Sequence, residues 1–224
     1  MSRVLLKLSK GDKVKYISHL DLIRAFELAL RRARIPVAYS SGFNPRPRMS
    51  FGPAIGVGVT SDDERIVVEL ASPEDPSDIL EKLNSQLPDG MELLSAEAVN
   101  GSPLAGPNAS RFQIAAVCGG ECSPAAVARA VEQLMESAEV RVARVREGKT
   151  KEVDIRPFLL QADVTECEGR SVVLNVSLRL GDSGGARPQD FVQALLRLVP
   201  NLTVGRIHRL SQFRVDGKAD SAER

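Results

Sequence analysis

The residues best placed to do chemistry lie between Ser40 and Pro53, in the run SSGFNPRPRMSFGP. Arg46 and Arg48 alternate with Pro45 and Pro47, and Phe43 and Phe51 flank them. Proline fixes φ and has no N–H, so this loop is stiff and cannot pair as a central strand. Gly42 and Gly52 permit tight turns or close backbone approach. Alternate residues of an extended chain point to one side, so Arg46 and Arg48 are expected to project together. Guanidinium groups beside aromatic rings suit a phosphate with a stacked base. The competing reading is a structural crossover loop with Phe43 and Phe51 buried.

Further cations precede this loop. Arg24, Glu27, Arg31 and Arg34 recur at helical spacing, opposite Leu22, Phe26, Ala29 and Ala33. They form either a solvated face or, with Lys13 and Lys15, an extension of an anion-binding surface. His19 falls in the first turn of that helix, with Tyr16, Ser18 and Asp21 close in sequence. A helix N-terminus favours the uncharged imidazole, which could serve as a general base with Tyr16 assisting. The alternative is a histidine that packs or hydrogen-bonds structurally. His208 is expected to share a strand face with Arg206, an ordinary arrangement for an exposed strand.

A second basic stretch, Arg146–Phe158, carries Lys149, Lys151 and Arg156. Gly148-Lys149-Thr150 lacks the first glycine and the following helix of a phosphate loop, so a nucleotide-binding motif is rejected. Asp154 and Arg156 alternate onto one face and are candidates to pair. Cys118, Cys122 and Cys167 have no zinc spacing, and position 125 is Ala, which removes a CxxxCxxC cluster motif. No metal or other cofactor is expected.

These residues need elements to position them. A strand is expected over 3–8 and a helix from Ser18 to Arg34, with Ser18 and Asp21 as a capping box and Pro36 as terminator. Residues 37–60 read as strand-like at both ends around the Gly/Pro loop. A short strand follows over Arg65–Leu70, then a helix from Pro76 to Leu87 and a strand over Met91–Val99. The order βαββαβ is the split βαβ, or ferredoxin-like, unit.

Residues 100–108 are the best linker in the chain. After it the order repeats. Arg111–Val117 is a strand, and Ser123-Pro124 opens a helix to Ser137. Val140–Val145 and Glu152–Ile155 are strand-like, and Leu159–Glu166 with Ser171–Leu180 forms a hairpin. Arg187-Pro188 opens the last helix, to Leu198, and Val204–Phe213 is the last strand. The expected class is α+β, two tandem ferredoxin-like halves at 1–99 and 109–214, with a flexible tail at 215–224. Only the order of elements repeats between the halves, not the residues.

Composition narrows the setting. Of 224 residues, 43% are hydrophobic and 26% charged, enough for an ordinary core in one large domain or two small ones. The net charge of +1 hides a basic start and an acidic middle. Residues 1–50 hold 11 Lys and Arg against 3 Asp and Glu, whereas residues 51–140 hold 4 against 15. Such asymmetry points to an anionic partner for the first segment, or to a basic segment folded against an acidic one. No apolar run approaches about 18 residues, and the N-terminus lacks a signal-peptide core, so no membrane span or export is expected. Three cysteines argue against a disulfide scaffold and for a reduced, cytoplasmic setting. With no Trp and 4% aromatics, broad stacking platforms are scarce.

The run from Tyr16 to Ala33 (YISHLDLIRAFELALRRA), followed by Ile35 to Phe51 (IPVAYSSGFNPRPRMSF), resembles the bacterial radical SAM-linked family. KTKEVDIRP from Lys149, GARP from Gly185 and IHR from Ile207 resemble later motifs of that family. The resemblance spans most of the chain, and its first run is highly specific. It implies a domain found alone beside a radical SAM gene, or fused behind a cobalamin-type radical SAM enzyme, often near RNA-processing and ribosomal genes. This chain resembles the stand-alone form, and the missing cysteine triad agrees. An accessory role is implied rather than radical chemistry. The duplicated split βαβ order is also similar to CRISPR repeat-processing endoribonucleases and pseudouridine synthases, as fold analogy only. Pro88-Asp89-Gly90 is a poor match to the glycine-rich loop of the former.

Three functions follow in order of support. The first is an accessory RNA-binding module that presents tRNA or rRNA to a partner radical SAM enzyme. Arg24, Arg31, Arg46, Arg48, Lys149, Lys151 and Arg156 would contact phosphates, and Phe43 or Phe51 would stack a base. The second is a protein-docking subunit of the radical SAM enzyme without RNA contact. The third is a metal-independent endoribonuclease using His19, with Arg46 stabilising the transition state. Neither a membrane nor DNA is an expected partner.

Overall fold

The computed structural model describes residues 2–100, 107–146, 148–180 and 185–215. The chain divides into two compact units, Met1–Pro107 and Asn108–Arg224. Most of the expected linker at 100–108 and nearly all of the expected tail at 215–224 lie outside the described residues. The protein is mixed α/β, with four α-helices among the described residues.

The first unit runs β1 (Ser2–Lys10), α1 (His19–Arg32), β2 (Met49–Phe51), β3 (Val59–Leu70), α2 (Pro76–Asn84) and β4 (Met91–Ala98). Its strands lie side by side in the order β4-β1-β3-β2, every pair antiparallel. Alternation along β1 puts Val4, Leu6 and Leu8 on the buried face, where Phe26 and Leu30 of α1 and Ile79 and Leu83 of α2 join one core. Each fully buried Leu or Phe contributes about 1.5–3 kcal/mol. Helix α1 starts where Ser18 Oγ accepts the Asp21 N–H (3.2 Å). It ends in a Schellman turn: Arg34 N–H donates to the Arg31 carbonyl and Ile35 N–H to that of Leu30. Arg34 takes the left-handed position at φ +55°, where glycine is usual.

The second unit runs β5 (Ala109–Cys118), α3 (Pro124–Glu136), β6 (Arg141–Arg146), β7 (Lys149–Asp154), β8 (Leu159–Glu168), β9 (Ser171–Arg179), α4 (Pro188–Leu198) and β10 (Leu202–Phe213). The strands β10-β5-β9-β8 lie side by side, again all antiparallel. β6 and β7 form a separate hairpin between α3 and β8. Ser123 Oγ accepts the Ala126 N–H (3.2 Å) at the start of α3, and Asp190 Oδ2 accepts the Arg187 N–H (2.7 Å) at the start of α4.

Two expectations change in the first unit. Residues 37–39 make only isolated bridges, and β2 is three residues long. Pro36, Pro45, Pro47 and Pro53 break the run of donors that a longer ladder needs. β3 begins at Val59, not at Arg65, because the polar run Thr60-Ser61-Asp62-Asp63-Glu64 belongs to it, and four of those five residues are buried.

Candidate nucleic-acid interface

Ala38–Arg48 folds as a narrow finger anchored on β3. The Ala38 N–H donates to the Glu69 carbonyl (2.8 Å), and the Glu69 N–H to the Arg48 carbonyl (2.9 Å). Across the finger, Arg48 N–H donates to the Ala38 carbonyl (2.8 Å) and Ser40 N–H to the Arg46 carbonyl (2.9 Å). Arg46 N–H donates to Ser40 Oγ (3.0 Å). The inward N–H groups belong to Arg46 and Arg48, while Pro45 and Pro47 occupy the alternate, outward positions. The prolines therefore stiffen the finger without costing it a bond.

The tip, residues 41–45, is exposed throughout. Gly42 turns the chain at φ +128°, with nothing within 4 Å of where a Cβ would stand. Phe43 is fully exposed. Arg46 is exposed as well, and no ion pair engages it among the described residues. Arg48 differs, since its guanidinium lies 3.3 Å from the Glu69 carboxylate, which Arg3 also holds at 2.8 Å.

Phe51 does not join this surface. Its position opposite Ile66 puts it on the core face of β2, half-buried. Its ring meets Phe26 (6.3 Å) and His19 (5.5 Å) edge-on. The base-stacking role expected of Phe51 is thus replaced by packing. His19 has an aromatic contact rather than an acid–base partner. Ser18 Oγ donates to the Asp21 carboxylate (2.7 Å), which Arg24 also approaches (3.2 Å). These contacts, the Ser18 hydroxyl first, hold the Asp21 carboxyl below its usual range. Tyr16 is 72% exposed, with Lys15 Nζ 5.4 Å from its ring centre.

On α1 the exposed stripe is Leu20, Arg24, Leu28 and Arg31, so two large apolar side chains alternate with the expected arginines.

In the second unit, Lys149 and Lys151 are exposed on β7, in register with Arg146 and Arg144 of β6. Between Lys151 and Arg144, like charges directly opposite repel. Arg144 escapes part of that cost through Asp190 (2.6 Å) and the Gly185 carbonyl (2.6 Å). Arg156 is not available to a ligand: its guanidinium donates to the carbonyls of Met135 (2.6 Å), Ser137 (3.1 Å) and Leu159 (3.2 Å). It closes the C-terminal end of α3, and this structural use replaces the phosphate contact expected of it. Asp154 serves backbone N–H groups of Val140 and Arg156 rather than the Arg156 side chain. The first unit carries one cationic set on the finger and α1, and the second carries another on the β6–β7 hairpin.

Simple alternation passed over one polar group. Asn175 Oδ1, on β9, is buried without a hydrogen-bond partner among the described residues. The signal available was the polar parity of Asn175, Ser177 and Arg179 along that strand.

Residues 3–188 match the model of a family described as an uncharacterized protein conserved in bacteria, DUF2344. The chain belongs to this family. No curated protein matches it in sequence. Among solved structures, a chain of the crystal structure of a Cbf5-Nop10-Gar1 complex is similar, at 12% identity and TM-score 0.53, covering 95% of this chain and 50% of that one. A chain of an H/ACA RNP bound to a substrate RNA containing 2'-deoxyuridine aligns at 11% identity and TM-score 0.48, covering 95% and 49%. A chain of the archaeal box H/ACA sRNP Nop10-Cbf5 complex aligns at 10% identity and TM-score 0.49, covering 95% and 49%. This family member spans about half the length of those chains. At such identity the likeness to the first is one of fold. No helix among the described residues is long and apolar enough to cross a membrane.

Proposed function

We propose that this protein is an accessory RNA-binding module that presents tRNA or rRNA to a partner radical SAM enzyme in the cytoplasm. The single observation that carries the RNA half is the finger. A fully exposed Phe43 stands at its hydrogen-bonded, proline-stiffened tip, and three positions along the chain is exposed Arg46, which no ion pair engages among the described residues. Phe43 contributes nothing to the first unit's core. Such a tip is the arrangement that stacks an unpaired base while a guanidinium holds the adjacent phosphate. Arg24, Arg31, Lys149 and Lys151 would add phosphate contacts, and Arg48 a weaker one. The radical SAM partner rests on the family resemblance alone, carried by the Tyr16–Phe51 segment and the later motifs from Lys149, Gly185 and Ile207.

We read both units as ferredoxin-like. The strand orders β4-β1-β3-β2 and β10-β5-β9-β8 support this, with β6–β7 as an insertion into the second. The domains would then be 1–99 and 109–214, joined by 100–108.

The test is fluorescence anisotropy with tRNA and rRNA fragments over a salt series. Salt-sensitive binding at micromolar concentration or tighter supports the reading, and no binding at low salt ends it. The docking reading is favoured by one observation of its own. Leu20 is 64% and Leu28 39% exposed on the outer face of α1, among arginines. A complex with the enzyme that survives ribonuclease and forms without RNA would select it.

A further inference from the structure

The face of the second unit's sheet opposite its apolar side carries two polar rows. Along β5 and β9 the even positions Phe112, Ile114, Leu174 and Val176 are buried at 0–1% exposure and form the apolar face. The odd positions face the other way. Register aligns Asp163, Asn175, Gln113 and His208 across β8, β9, β5 and β10. The next row is Gln161, Ser177, Arg111 and Ser211. Gln161 Nε2 donates to Asp163 Oδ1 (3.1 Å) and links the rows. Three strand spacings of about 4.8 Å make each row about 14 Å long, and the rows stand about 7 Å apart.

A merely solvated face would leave such groups wet. Here Ser177 is 5% exposed, and Asn175 Oδ1 is buried with no partner among the described residues. A recessed polar atom without a partner, as Asn175 Oδ1 is, is costly unless a ligand completes it. Beside the first row the apolar neighbours on this face are Ala115 and Val173, and the larger Val117 and Phe213 stand toward its two ends. Planar amides and a carboxylate at strand spacing match the edges of nucleobases, which they read through paired donors and acceptors. Arg111, exposed in the second row, would take the connecting phosphate.

We propose that this face binds the edges of about two unstacked bases of single-stranded RNA. The proposal rests on the RNA reading above and assigns to the second unit the base-discriminating half of the contact.

The experiment measures anisotropy of labelled single-stranded oligo(A), oligo(C) and oligo(U), and of an RNA duplex, with the full chain. The variants are Gln113→Ala/Asn175→Ala and the nearly isosteric, uncharged Gln113→Met, which preserves packing if the double variant fails to fold. Single-strand affinity falls about tenfold, the loss of one or two hydrogen bonds. Differences among the three homopolymers shrink, and the salt slope and duplex affinity stay put. Unchanged affinities and unchanged homopolymer preference in Gln113→Met overturn the proposal. If Phe43→Ala/Arg46→Ala weakens binding in that same case, the RNA function stands and only the sheet face is wrong. If the native chain binds no RNA, the function itself fails and this site falls with it.

Discussion

Replacing Phe43, Arg46 and Arg48 one at a time separates stacking from charge. Each phosphate neutralised on a single strand contributes about 0.7 to the slope of log affinity against log salt. Arg46 is exposed and carries no ion pair among the described residues, so Arg46→Ala removes a full contact. Between about 50 and about 200 mM salt, that narrows the drop in affinity by about 2.6-fold. Arg48 shares Glu69 at 3.3 Å and is already partly neutralised, so Arg48→Ala changes the slope by less. Phe43 carries no charge. Phe43→Ala costs about 1–3 kcal/mol, or about 5- to 150-fold, equally at every salt concentration. Anisotropy titrations of one single-stranded RNA at four salt concentrations read both quantities. The reasoning is refuted if Phe43→Ala alters the slope instead of the offset, or if Arg48→Ala matches Arg46→Ala.

Three further outcomes follow from the same contacts. Arg156→Ala leaves the Met135 and Ser137 carbonyls at the end of α3 and the Leu159 carbonyl of β8 without that donor and destabilises the protein by about 2–5 kcal/mol, read by thermal melting, with the RNA salt slope unchanged. Arg34→Gly relieves the left-handed strain at φ +55° and stabilises by about 1 kcal/mol in urea unfolding, the reverse of what a needed phosphate contact would give RNA affinity. Burial, and then the neighbouring Cys122 thiol, push the Cys118 thiol up to about 11. Unfolding then releases a proton above the ordinary thiol range. This contribution to stability is complete below about pH 8.5 and is lost as pH rises toward about 11. Denaturation at pH 7 and pH 10.5 shows the loss in the native chain and a smaller one in Cys118→Ala. At pH 8 a thiol reagent labels exposed Cys167 before Cys118.

How far the sequence could be read depended on whether a signal was local. Ser123-Pro124 and Arg187-Pro188 state helix starts in adjacent residues, and α3 and α4 begin there. Phe43 and Phe51 flank the arginines almost symmetrically, so spacing could not tell them apart. Their difference is one of register: Phe51 sits opposite Ile66 on the core side, and Phe43 caps a turn. Arg156 looked like one more cation on a basic stretch. Two of its three partners are carbonyls about 20 residues earlier, at a helix end that only tertiary structure brings near. The polar start of β3 resembled a loop because buried polar residues have no periodic signature.

The same accounting separates binding from catalysis. A general base must be free to reach the proton it takes. Ser18 and Asp21 are committed to the start of α1, and Arg24 holds the same carboxylate. The His19 ring packs edge-on against Phe51, which in turn packs on Phe26 of the core. Ser18, Asp21 and His19 of the acid–base constellation legible in the sequence are therefore occupied in starting and seating a helix. Phe43 and Arg46 have no such employment. The finger's backbone bonds hold regardless of which side chains stand at those two positions, and the core is complete without them. A phenylalanine in water on a hydrogen-bonded hairpin, with an exposed arginine three positions along, adds nothing to the core, and that is the physical ground for placing the ligand there.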